Sequence, residues 1–134
     1  MIDIENDVFN AVATALRTAH SGIQVYGEYV ESPAKFPAVT IVEADNRILE
    51  RMRTTNIENA ASVMYEINVY SNKSVGKKAE AKAIATTADN VMASIGFTRT
   101  FREQVPNMKD ATIYRIVCRY EAVIDKDLWI YHNE

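Results

Sequence analysis

The hydrophobic period of this chain changes abruptly near Asn72, and that switch restricts the folds open to it. From Ser62 to Ser71 the period is two: Val63, Tyr65, Ile67 and Val69 share one face, and Met64, Glu66, Asn68 and Tyr70 the other. From about Ser74 to Ile95 it becomes helical, with Val75, Ala79, Ala83, Ile84, Thr87, Ala88, Val91, Met92 and Ile95 on one side. Lys73, Lys77, Lys78, Glu80 and Lys82 lie largely off that stripe, and Gly96 supplies the left-handed residue that ends a helix. A strand running straight into a one-striped helix needs a sheet whose face the helix can cover.

The remaining segments supply that sheet. A first helix is expected from about Asp3 to His20, because Ile4, Val8, Val12, Ala15, Leu16 and Ala19 recur at three- and four-residue spacing. Asp3, Glu5 and Asp7 crowd its first turn, where negative charge suits the exposed N–H groups, and Ser21-Gly22 ends it. Ile23 to Tyr26 and Tyr29-Val30 are expected to be extended, with Pro33 and Pro37 bracketing a loop. Ala38 to Glu43 is a short β-branched strand. Residues 45–60 fit the arms and tip of a long hairpin. Phe97 to Val105 alternates, Pro106 to Asp110 turns, and a last strand places Tyr114, Ile116, Cys118, Tyr120, Ala122 and Ile124 on one face. The order helix, strands, helix, strands predicts an α+β domain of two layers. In it, two amphipathic helices pack on one face of a mainly antiparallel sheet. At 134 residues, 1–134 is expected to be one domain with a C-terminal tail at 126–134.

Charge and composition narrow the function. Fifteen Lys and Arg against eighteen Asp and Glu give a formal charge of −3, so gripping a nucleic-acid backbone is not the expected task. The single cysteine, Cys118, allows no internal disulfide and is expected to be a small buried hydrophobe. No apolar run approaches the roughly 20 residues of a membrane span. The start Met1-Ile2-Asp3-Ile4-Glu5 lacks the basic and apolar stretches of a signal peptide, so the expected origin is cytosolic.

No catalytic, cofactor or metal site is expected. His20 and His132 lie far apart in sequence and are expected to be solvated. Asp125, Asp127, His132 and Glu134 match no ligand spacing, and the few glycines form no phosphate loop. Two groups stand out as candidate protein interfaces. Arg47, Arg51 and Arg53, with Glu50, leave an excess of two positive charges in the hairpin: either a solvated face or a contact for an acidic partner or passing DNA. Leu128, Trp129, Ile130 and Tyr131 form an apolar tail, suited either to an extra edge strand on its own sheet or to another subunit.

The element order, the helix ending His20-Ser21-Gly22 and the segment Phe36 to Ile41 together form a recognisable pattern. So do the strand Tyr65 to Ser71 with its Lys- and Ala-rich helix, Gly96-Phe97-Thr98-Arg99, and the final strand Tyr114 to Tyr120. In these features the chain resembles the tail terminator (tail completion, head–tail joining) proteins of long-tailed bacteriophages. The resemblance implies an α+β subunit assembled as a hexameric ring in the virion, put together in the host cytoplasm. Such a ring caps the tail tube protein, offers a docking face to the neck or connector, and lets DNA pass without binding it. It implies no cofactor and no membrane. The competing expectation is a small cytosolic ligand-binding or regulatory α+β domain.

Overall fold

In the computed structural model, which describes residues 1–30, 33–48, 60–106, 110–125 and 130–131, the helix–strand–helix–strand order is present. Helix α1 is Glu5–Ala19, one to two residues shorter at each end than expected. Its first turn carries Glu5 and Asp7, and the Asp3 carboxylate accepts the Glu5 N–H at 3.0 Å. Val8, Val12 and Leu16 are buried as expected, but Ala19 is exposed and Ala13 is buried in its place.

Helix α2 is Lys77–Ser94 and differs more. Its buried residues are Ala81, Ile84, Ala85, Ala88 and Met92, while Val75, Ala79 and Ala83 are exposed. Alanine is a weak guide to facing because it buries little area, so Ile84 and Met92 set the rotation in an Ala-rich helix. The end was legible: Gly96 takes φ of 100°, with its N–H on Ala93 O and that of Phe97 on Met92 O. That paired arrangement satisfies carbonyls the helix would otherwise leave open.

Among the described residues six strands form one sheet: β1 (Gln24–Tyr26), β2 (Ala38–Ile48), β3 (Ala60–Ser71), β4 (Thr98–Gln104), β5 (Tyr114–Asp125) and β6 (Ile130–Tyr131). The order is β1-β2-β3-β5-β4, with β6 pairing β5 beyond the end of β4. β1 runs parallel to β2 and every other pair is antiparallel. Tyr29 and Val30 join no strand. β2 is longer than its β-branched run: Asp45–Ile48 pair with Ala61–Met64, so these hairpin arms belong to the sheet. Residues 49–59, the expected tip, lie outside the described residues. β4 does not alternate throughout, because a register shift between Arg99 and Phe101 interrupts it.

Both helices pack on the same face of the sheet. Val39, Ile41, Val63, Ile67, Val69, Ile116 and Ile124 meet Val8, Val12 and Leu16 of α1 and Ile84 and Met92 of α2 in one hydrophobic core. Tyr65 and Phe97 stack edge to face inside it, with centroids 5.5 Å apart. Among the described residues no helix is long and apolar enough to cross a membrane.

Candidate interaction surfaces

The face of the sheet turned away from the helices is built from the alternate residues of the same strands. Thr40, Asn68 and Val117 sit opposite one another across β2, β3 and β5, all buried although no helix covers them. A chain of hydrogen bonds runs beside them. Arg115 donates from Nε and Nη2 to Asn68 Oδ1 at 3.0 and 2.7 Å. Asn68 Nδ2 donates to Glu66 Oε1 at 3.1 Å, and Arg119 Nε donates to Glu66 Oε2 at 3.1 Å. The Asn68 amide thus links a cation to an anion, turning its acceptor to one and its donor to the other. The guanidinium of Arg115 lies over Tyr70 and Tyr29, and that of Arg119 over Phe101 at 4.9 Å. Tyr70, Ala38 and Ile113, with Tyr26 and Phe36, form a second small apolar cluster. This gives a surface of aromatic rings and arginines, of the composition found at protein interfaces.

The two lateral edges of the sheet differ in charge. At the β2 edge, carboxylate oxygens of Asp3, Glu5 and Glu43 lie within 4.8 Å of one another. Together with Met1 and Asn46 they line a concavity of about 460 Å³. Tyr65 Oη donates to Glu43 Oε2 at 3.3 Å, and burial first, then the Glu43 charge, pushes the Tyr65 phenol up. Oxygen ligands of this kind suit a hard cation.

At the β4 edge, Lys78, Lys82 and Arg102 line a groove of about 180 Å³ with Glu103, Gln104 and Tyr114. Next to it, Asp89 Oδ1 accepts from Arg99 Nη1 at 3.2 Å and from Tyr120 Oη at 2.9 Å. Burial, followed by Cys118 and Asp89, pushes the Tyr120 phenol up, and burial likewise raises the Cys118 thiol. Cys118 is therefore the buried, protonated hydrophobe that its apolar run predicts.

His20 is not simply solvated. Its Nε2 lies 2.9 Å from Thr87 Oγ1 and ties the end of α1 to α2. Thr87 donates its own proton to Ala83 O at 3.2 Å, so the ring nitrogen is the donor in the His20 contact and the hydroxyl is not activated. His132 lies outside the described residues.

Of the interface candidates, Arg47 is exposed, and its Nε pairs with Asp45 Oδ2 at 2.9 Å, which offsets part of the expected local positive charge. Arg51 and Arg53 lie outside the described residues, as do Leu128 and Trp129. The backbone of Ile130 and Tyr131 takes the own-sheet alternative, pairing with Ile124 and Val123 of β5. The Glu66–Asn68–Arg115–Arg119 chain and the two charged edges were not anticipated. The alternation in β3 put Glu66 and Asn68 on one face, but their cross-strand partners follow from a register that no single strand encodes.

No family model matches the chain, and no curated protein matches it. Among solved structures, a chain described as "Virion of native gene transfer agent (GTA) particle" shares the fold with a TM-score of 0.66 and 16% identity. The match covers 91% of this chain and 94% of that one.

Proposed function

We propose that this chain is a structural protein of a phage-type virion, and within it a tail terminator: a ring that caps the tail tube and joins it to the neck. The observation that carries the first part is the shared fold, which extends over 91% of this chain and 94% of a chain from a gene transfer agent virion. The finer role rests on the resemblance to tail terminators and on surfaces suited to contact. These include the arginine–aromatic face and two sheet edges bearing opposite charge.

In this role the chain acts as one domain and assembles as a homo-oligomeric, sixfold ring, whose partners are the tube protein and the neck or connector. DNA crosses the lumen without being held, in keeping with a net charge of −3. No catalytic chemistry, cofactor or membrane enters. Arg47, Arg51 and Arg53 are assigned to docking on an acidic surface, and Leu128 and Trp129 to burial against the ring or the tube.

The test is electron microscopy of particles produced with and without this protein. Its loss should give tails of uncontrolled length and heads without tails, and labelled protein should decorate the tail end nearest the head. Normally joined tails of normal length in its absence overturn the proposal. A chain carrying R47E, R51E and R53E together should fold but fail to join tails to heads.

A further inference from the structure

We infer that the α2/β4 flank of one copy docks on the α1/β2 flank of the next, in a head-to-tail contact made by opposite charges. This deepens the ring reading above and rests on it, and it commits both flanks to one occupant, a second copy of this chain. The acidic cluster alone would not make a site. What gives it a partner is the basic groove at the opposite edge of the same sheet.

Three observations converge. First, both edges are open. β1 covers β2 only at Ala38–Thr40, so among the described residues the outer side of β2 from Ile41 to Ile48 has no strand beside it. Among the described residues β4 pairs with β5 on one side only. Second, the charges are complementary. Asp3, Glu5 and Glu43 gather at one edge. At the other, Lys78, Lys82 and Arg102 are exposed, share their groove with the Glu103 carboxylate, and make no ion pair among the described residues, although Arg102 also borders the adjoining cavity of Asp89 and Arg99. Burying either set against an uncharged surface strips its water without replacing it, whereas burying each against the other offsets that cost.

Third, the register places Glu43 and Arg102 on the same face of the sheet, one row of that face apart. Glu43 faces Tyr65, Tyr65 faces Tyr120, and Tyr120 faces Arg99 in one row across the sheet. The next row on that face, two residues along each of β2, β3 and β5, runs from Ile41 through Ile67 and Cys118 to Arg102. β4 runs opposite to β2, because three antiparallel steps separate them. A neighbour in the same orientation therefore brings acidic and basic flanks together as antiparallel edges without any reversal. Register shifts at Glu43/Asp45 and Arg99/Phe101 interrupt a ladder at that level, so side chains carry the contact there. A contact between different surfaces of identical copies is heterologous and closes into a ring when its rotation does. A polyanion is the poorer occupant, because the groove holds only three cations beside Glu103 on a chain of net charge −3.

The test is sedimentation velocity on the full chain at low and moderate salt, with charge-reversal variants. The wild type should self-associate. Its association should weaken at least about tenfold between about 0.01 M and about 0.15 M salt, as the screening length falls from about 30 Å to about 8 Å. K78E/K82E/R102E has two acidic flanks and E5K/E43K two basic ones, so each alone should be monomeric while their equimolar mixture associates. Circular dichroism reports whether each variant folds. Should E5K/E43K fail to fold, E5Q/E43Q should fold and lose the salt-dependent association. A wild type that stays monomeric at low salt overturns the inference and gives the flanks to another protein of the particle. Folded variants that associate like the wild type, or a mixture that stays monomeric, overturn it equally. A ring at the tail end alongside any of these results would leave the tail-terminator proposal standing, whereas normal tails without the protein would remove that proposal itself.

Discussion

The two faces of β3 are built from neighbouring residues of one strand, yet they are buried by different means. Toward the helices, Val63, Tyr65, Ile67 and Val69 lose their solvent to apolar side chains from α1, α2 and the strands beside them. On the other side Asn68 is as buried as Val69, with no helix above it. There the long side chain of Arg115 reaches Asn68 while its guanidinium lies over Tyr70 and Tyr29. A sheet face can thus exclude water from its central residues and still keep charge at its surface. A face covered by helices is committed to its core. The other remains able to meet a protein.

Substitutions can break this comparison, and the largest effect is expected on the helix side. Ile67→Ala should cost about 2–5 kcal/mol, because the space it leaves is walled by a packed core. Urea titration should show a lower midpoint with an unchanged slope. Asn68→Ala is the matching change on the open face and should cost about 1.5–3 kcal/mol, since it removes the acceptor for two Arg115 donors. A loss at Asn68 of under about 0.5 kcal/mol would mean that this network is not holding the face together.

The next effect sharpens the comparison through pH. Tyr65 and Tyr120 have their phenols raised in the folded chain, with burial as the leading cause. Raised folded values favour the protonated fold. The stability they contribute is complete below the unfolded tyrosine value of about 10 and is lost as pH rises beyond it. The melting temperature should therefore fall above about pH 10, and less steeply in Y65F/Y120F, which should cost about 1 kcal/mol per hydroxyl at neutral pH. Identical slopes in variant and wild type would assign the alkaline loss to other groups.

The smallest effect belongs to the outer end of the open face. The Arg119–Glu66 pair is 3.1 Å long, with side chains 44% and 22% exposed, so water screens it. Arg119→Ala should change stability by under about 1 kcal/mol, and raising the salt should reduce even that. A larger loss would show that stacking on Phe101 matters more than the ion pair.

What was legible in the sequence is what local periodicity controls. The alternation through Tyr65 and Ile67 placed β3, and Gly96 marked the end of α2, because side-chain direction in a strand and a left-handed helix stop are set within a few residues. The rotation of α2 was less legible, since an Ala-rich helix offers several faces of similar hydrophobicity and only packing against α1 and the sheet selects one. The far end of β2 is legible only as the arm of a hairpin, for the opposite reason. Glu43, Asp45 and Arg47 show no hydrophobic alternation, and the strand continues through them because β3 supplies partners for the backbone.

The same division holds for the surfaces. By itself the sequence determined that there would be two one-striped helices, a mainly antiparallel sheet, and a buried Cys118 in its last long strand. Only the tertiary structure decided that Asp3 and Glu5, near the start of the chain, would meet Glu43 of β2, or that Lys78 and Lys82 of α2 would flank Arg102 of β4. The physical reason is range. Periodicity records which way each side chain points along its own element, whereas charge clusters arise from strand order and register, which pairing between distant segments fixes.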